Sequence, residues 1–178
     1  MLLPAEHIRA RVAELGRQIS SEHAGDDLLL VSVLKGGIVF LSDLMRAITV
    51  PHEIDFLSVS SYGDATQSSG RVRLLHDLSQ EISGRHLLIV EDIIDTGRTL
   101  AYLLDYLRLR NTASIRVCAL VQKEIPTRRV SADLVGFTIP NRYVIGYGMD
   151  LAGHYRHLPF IGAIPDHLAA SFANGINP

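Results

Sequence analysis

HLLIVEDIIDTGRTL, residues 86–100, decides the reading of this chain. Leu87–Val90 is a short unbroken apolar run, the pattern of a parallel strand buried on both faces. The run ends on two acids, Glu91 and Asp92, followed by two isoleucines. Asp95-Thr96-Gly97-Arg98-Thr99 then opens a segment with leucines at 100, 103, 104 and 107, the stripe of an amphipathic helix. A strand that turns this abruptly into a helix predicts an anion cradle. Backbone N–H groups of the loop and helix N-terminus, with two hydroxyls, point at one place. Gly97, without a Cβ, lets the backbone come close to a phosphate. The acids cannot bind phosphate themselves; they suit sugar hydroxyls, or a Mg²⁺ that itself holds phosphate.

Other readings of the stretch are weaker. Helix capping would account for Asp95 and Thr96 but leaves the paired acids without a purpose. Asp95–Gly97 matches the aspartic-protease tripeptide, whose chemistry needs an all-β setting, whereas here it precedes a leucine-striped helix. Neither G-x-x-x-x-G-K-[ST] nor G-x-G-x-x-G occurs.

Outward from this stretch, strands and helices alternate. Ile8, Val12, Leu15 and Ile19 mark a helix. Asp27–Leu34 predicts a buried strand, broken by Gly36 and Gly37, and Ile38–Ile48 a helix. Glu53–Ser60 predicts a second strand, His86–Glu91 a third and Ile115–Gln122 a fourth, with Leu134–Phe137 and Tyr143–Tyr147 as shorter candidates. Such alternation predicts an α/β fold with a mostly parallel sheet flanked by helices. SSYGDATQSSG, Ser60 to Gly70, has no apolar periodicity and predicts a polar loop. There is no internal repeat or linker, and 178 residues fit one domain.

With 47% hydrophobic residues, 20% charged and a net charge of −2, the chain has no electrostatic footprint for bulk binding to nucleic acid or anionic membrane. Its one cysteine, Cys118, excludes an internal disulfide and reads as a small buried hydrophobe. His154 and His157 lie three apart without an evident third metal ligand. The first residues reach Glu6 before a secretory core could form, and no apolar run is long enough for a membrane span, so the chain reads as cytoplasmic.

IVEDIIDTGRTL resembles the phosphoribosyl-pyrophosphate motif of type I phosphoribosyltransferases, in the form found in hypoxanthine-guanine phosphoribosyltransferases. SVLKGG (Ser32–Gly37), SSYG (Ser60–Gly63), the lysine of VQKE (Lys123) and VIGYGMD with HYR (Val144–Arg156) fall in the family's order and approximate spacing. The resemblance covers about Val31 to Ile164. It implies a type I phosphoribosyltransferase fold over residues 1–178. A small hood would be built from the N-terminal segment and about 140–178, and a flexible lid at about 60–76 would carry Ser60 and Tyr62.

The resemblance also implies roles. Asp95, Thr96, Gly97, Arg98 and Thr99 would grip the 5′-phosphate; Glu91 and Asp92 would hold the ribose hydroxyls directly or through Mg²⁺. Lys35 and Gly36 match the pyrophosphate loop, whose Lys-Gly peptide is often cis, and Arg156 the arginine that meets pyrophosphate. Lys123 would meet the exocyclic oxygen of a 6-oxopurine, Tyr143 would stack on the base, and Val144 would offer it backbone groups. Asp150 would lie near the purine and a second Mg²⁺. Asp95 is the expected general acid/base. Tyr143 replaces the usual phenylalanine or tryptophan, and Arg98 a lysine or aliphatic residue.

The implied activity is purine salvage: transfer of the phosphoribosyl group from phosphoribosyl pyrophosphate to N9 of hypoxanthine and/or guanine, giving IMP or GMP and pyrophosphate, in a homodimer or homotetramer. Two alternatives stay open, a xanthine phosphoribosyltransferase and a pyrimidine-operon regulator of the same fold that binds RNA. The second needs a basic face, and Arg71–Arg73 with Arg128-Arg129 are a small start on one.

Overall fold

The computed structural model describes residues 1–62, 71–165 and 168. The helices are α1 (Ala5–Glu22), α2 (Ile38–Ala47) and α3 (Arg98–Arg108). The strands are β1 (Leu28–Leu34), β2 (His52–Tyr62), β3 (Arg71–His76), β4 (His86–Ile94), β5 (Ser114–Lys123), β6 (Leu134–Ile139), β7 (Tyr143–Ile145) and β8 (Gly162–Ile164). Six of them form one sheet in the order β3-β2-β1-β4-β5-β6, parallel except for β3.

Strand parity divides the core. Leu28, Leu30, Leu88 and Val90 pack with Ile8, Val12, Leu15 and Ile19 of α1 and with Phe40, Leu41 and Leu44 of α2. Their neighbours Leu29, Val31, Leu87 and Ile89 face the other way, onto Leu100, Leu103, Leu104 and Leu107 of α3. Side chains alternate across a strand, so a run buried on both faces must be apolar at every position. Each fully buried leucine contributes roughly 1.5–3 kcal/mol. Cys118 lies at 0% exposure within β5, its thiol pushed up to about 12 by burial. No described helix is long and apolar enough to cross a membrane.

Three local expectations need correction. β4 does not stop at Glu91: it runs through Ile94 because Ile93 and Ile94 pair with Val121 and Gln122 of β5. The two acids therefore lie inside the strand and are held by its register. β2 likewise continues to Tyr62, pairing with β3, an antiparallel edge strand absent from the sequence reading. β8 was also unforeseen: it pairs with β7, and an isolated bridge between Leu3 and Ile161 ties the N-terminal segment to this small second sheet. Ser60 pairs with Arg73 on β3; the middle of the expected lid, residues 63–70, lies outside the described residues.

The chain winds outward from β1 through β2 to β3, then crosses back to β4 and winds the other way. The crevice at the carboxyl ends of β1 and β4 is thus a topological switch point, where open α/β sheets bind ligands.

Candidate active site

Three loops meet at this crevice. The first, after β1, carries Lys35 and Gly36. A cis peptide is present here, at Leu34–Lys35 rather than at the Lys35–Gly36 bond the resemblance implies. The second is the end of β4 and the turn into α3. The third follows β7 and carries Gly148 and Asp150.

Their approach leaves no space for side chains at two glycines. A Cβ on Gly36 would lie 2.1 Å from Asp92 Oδ2, and one on Gly148 would lie 2.2 Å from the Gly36 carbonyl oxygen. Gly148 also has φ +97°, a conformation open mainly to glycine. Asp92, Gly36 and Gly148 are therefore stacked in contact, one from each loop.

The turn into α3 is capped by Gly97 at φ 70°, with no capping side chain. Neither Asp95 nor Thr96 is spent on the helix, and the first-turn amides are left without intrahelical partners. Loop residues 128–130 brace the turn from below: Arg129 N donates to the Thr96 carbonyl at 3.0 Å, and a Cβ on Gly97 would come within 3.0 Å of Val130 N. A cavity of about 220 Å³ opens over this turn, lined by Glu91 and by Asp95 through Thr99. Thr96, Arg98 and Thr99 are exposed.

A second cavity, about 200 Å³, is lined by Asp92, Asp95, Lys123, Tyr143, Val144 and Asp150. Ile93 and Asp95 line both cavities and so stand between them. Lys123, the buried last residue of β5, donates from Nζ to Asp95 Oδ2 at 2.7 Å. Tyr143 is 40% exposed, with its hydroxyl donating to the Asp150 carbonyl at 3.3 Å. Val144 is buried. The Asp150 carboxylate accepts from Gly153 N at 2.7 Å and pairs with Arg156 Nη2 at 2.6 Å. Arg156 Nη1 donates to the Gly148 carbonyl, so the arginine also braces the third loop.

Electrostatics at the centre are unusual. Burial pushes the Asp92 carboxyl up to about 6; the Ile93 amide and Arg156 draw it back, while Asp150 adds to the rise. Glu91 is held well above the usual carboxylate range, first by burial and then by the charge of Asp92. Glu91 has no ion-pair partner among the described residues. Two adjacent, desolvated acids with so little cationic compensation are suited to an external partner, sugar hydroxyls or a cation. The donors at hand are carboxylate oxygens without thiol or imidazole, which fits a hard ion such as Mg²⁺.

All the site residues named from sequence except Ser60 and Tyr62 lie in or beside these two cavities and their loops. Lys35 is exposed on the first loop, next to the Gly36–Asp92 contact. Sequence reasoning missed Ile93 and Met149 in the cavity walls, the bracing loop at 128–130, and Gly148. Ile93 could have been found, since it sits between Asp92 and Asp95 in the decisive stretch, and so could Gly148 and Met149, which lie within VIGYGMD; the bracing loop carries no local signal.

Comparison with known proteins places this geometry. Residues 1–151 match the phosphoribosyl transferase domain. A hypoxanthine-guanine phosphoribosyltransferase of Mycobacterium tuberculosis is 49% identical over 171 residues, covering 92% of this chain and 85% of the relative. A hypoxanthine phosphoribosyltransferase of Salmonella typhimurium is 44% identical, over 92% of this chain and 94% of its own. Among solved structures, a hypoxanthine phosphoribosyltransferase from Staphylococcus aureus superposes with a TM-score of 0.87 at 39% identity, covering 94% of this chain and 91% of that one.

Proposed function

The chain belongs to the phosphoribosyl transferase domain family, and from that premise we propose that it works in purine salvage, joining hypoxanthine and/or guanine to phosphoribosyl pyrophosphate. The chain is an enzyme, a phosphoribosyltransferase of the type I α/β fold. The observation that carries the choice of base is the pair Lys123–Asp95 standing in the wall of the second cavity. An ammonium at that position attracts an exocyclic purine oxygen and would repel an exocyclic amine lying against it.

The reaction breaks the bond between C1′ and the pyrophosphate oxygen, forms a bond from purine N9 to C1′, and inverts the anomeric centre through an oxocarbenium-like state. The two cavities fit its two halves. In the first, free amides and the hydroxyls of Thr96 and Thr99 hold the 5′-phosphate. In the second, Tyr143 stacks on the base, its ring suited to an aromatic face, with backbone of Val144 at the base edge. Asp95, between them, handles a purine-ring proton near N7; the hydrogen bond from Lys123 holds its carboxylate in place until the base arrives. Such proton transfer contributes about 10²–10⁴ in rate. Lys35, the Gly36 amide and Arg156 hold the pyrophosphate, the arginine through its planar fork.

Glu91, Asp92 and Asp150 would hold Mg²⁺, which when bound neutralises charge on the leaving group. Glu91 and Asp92 also accept hydrogen bonds from the ribose hydroxyls. We further propose a cytoplasmic homodimer or homotetramer, with no nucleic-acid or membrane partner and with residues 60–76 acting as a lid. No observation favours the xanthine-specific or RNA-binding alternatives.

The test is pyrophosphate release from phosphoribosyl pyrophosphate and Mg²⁺, with hypoxanthine, guanine, xanthine, adenine, uracil and orotate supplied singly. Turnover with hypoxanthine or guanine is expected. Turnover with uracil or adenine alone, or with none of the six, would overturn the proposal.

A further inference from the structure

At the opposite end of the sheet three residues with metal-binding side chains come together. His23 caps the C-terminus of α1, Asp26 lies in the turn before β1, and His86 is the first residue of β4. One donor atom from each lies within 4.8 Å of the other two. They stand on fixed backbone: Asp26 N donates to the His23 carbonyl at 3.2 Å, His86 N donates to the Asp27 carbonyl at 3.0 Å, and Leu28 pairs with His86. Asp92 lies six positions along β4 from His86, roughly 20 Å of extended chain, so this cluster is separate from the active site.

The hydrogen bonds leave ring nitrogens uncommitted. His86 Nδ1 is bonded to Ser114 Oγ at 2.8 Å, and its Nε2 faces Asp26 Oδ1 at 3.7 Å. When Nδ1–H donates to the serine, the Nε2 lone pair and the carboxylate face each other as two acceptors with a gap between them. A hydrogen bond from the far ring nitrogen, as here to Ser114, is what orients a metal-binding imidazole. His23 is 4% exposed; its Nδ1 lies 2.9 Å from Asp26 Oδ2, while its Nε2 is shielded from solvent and has no hydrogen-bond partner. Asp26 and His86 are each 31% exposed, which gives an ion access and room for water ligands.

The surroundings favour a cation. Arg85 is committed to Asp27 and Glu53, and Arg116 to Glu22, so with Asp26 four carboxylates oppose two guanidiniums. Two imidazoles and a carboxylate suit zinc and neighbouring divalent transition metals better than magnesium. The edges of a tetrahedral zinc site are about 3.3 Å, from zinc–ligand bonds near 2.0–2.1 Å. The donors therefore need to close by at most about 1.5 Å, within reach of side-chain rotation by Asp26 and His86.

We propose that His23, Asp26 and His86 form a zinc-type metal site, completed by water, that clamps the end of α1 to the amino-terminal edge of the sheet. It is independent of the purine reaction.

The experiment is titration of the full chain with Zn²⁺ in excess Mg²⁺, by calorimetry and by thermal unfolding, beside Asp26→Asn and His86→Gln. The native chain should bind one equivalent more than either variant, with at least a tenfold loss of affinity in each, and both variants should keep native turnover. At a hundredfold excess over its dissociation constant, zinc should raise the native Tm by about 5–10 °C, a shift the variants lack. Native zinc binding no tighter than that of both variants would overturn the proposal. Should a variant fail to fold, ¹⁵N-histidine NMR on the native chain decides. Zinc must shift the ring signals of His23 and His86; shifts confined to His154 and His157, or none, would sink the site.

Discussion

Replacing Asp92 with asparagine should stabilise the ligand-free enzyme while disabling it. The Asp92 carboxyl is 8% exposed and its pKa is raised by burial from an ordinary 3.8 to about 6. Between those two values the folded chain binds more protons than the unfolded one, so stability falls as pH rises through the window and levels off above about 6. At roughly 1.4 kcal/mol per pKa unit, ionised Asp92 costs the fold on the order of 3 kcal/mol at pH 7.5. Asparagine removes the charge, keeps an oxygen to accept from Ile93 N, and relieves the repulsion that helps raise Glu91. Urea unfolding of native chain and Asp92→Asn, without substrate or metal, at intervals from pH 4 to 8 is the assay. The two should be nearly equal at the acid end, and the variant should gain roughly 3 kcal/mol by pH 7.5, a Tm difference of about 6–12 °C. Its activity should fall at every pH. A native chain as stable as the variant at pH 7.5, or a gap that widens toward acid, would refute the reasoning.

Asp95→Asn should lower kcat by about 10²–10⁴ while leaving the dissociation constant for phosphoribosyl pyrophosphate within a few fold; single-turnover rates beside equilibrium binding separate the two. Gly36→Ala places a Cβ 2.1 Å from Asp92 Oδ2. It should raise KM for phosphoribosyl pyrophosphate at least tenfold and cost about 1–3 kcal/mol in urea unfolding, and an unchanged KM would count against the three-loop contact. Tyr147 donates from its hydroxyl to Asp43 Oδ2 at 2.5 Å, and burial with this bond holds the phenol above its ordinary range. Tyr147→Phe should therefore cost roughly 1–2 kcal/mol, since Asp43 can turn to Arg46 and solvent, with little change in kcat.

Legibility in the sequence followed the range of the interaction. α1, α3, β1 and β4 announce themselves because each buries a continuous stripe or run, and burial on both faces of β1 and β4 removes every polar interruption. β3 does not, because RVRLLH at an edge packs through Leu74 and leaves Leu75 59% exposed, so alternation is blurred. β8 is three residues long and owes its pairing to β7. The decisive stretch showed Glu91, Asp92 and Asp95 because the site's charges and its strand-to-helix turn share one continuous segment. The Gly36–Asp92 and Gly148–Gly36 contacts and the Lys123–Asp95 bond join residues 28 to 112 positions apart, and no local pattern encodes them.

Cys118 gives the chain a clock. Its thiol is the sole one, it lies in a strand paired on both sides, at Val90 and at Leu134, and burial keeps it un-ionised. An alkylating reagent can reach it only when the packing over that face of β5, shared with α1, opens. The rate of labelling under native conditions therefore counts openings of the core over β5, one covalent mark per molecule, with no probe to install. Any ligand that binds the folded state alone should slow that count, the logarithm of the rate falling in proportion to the stability it adds.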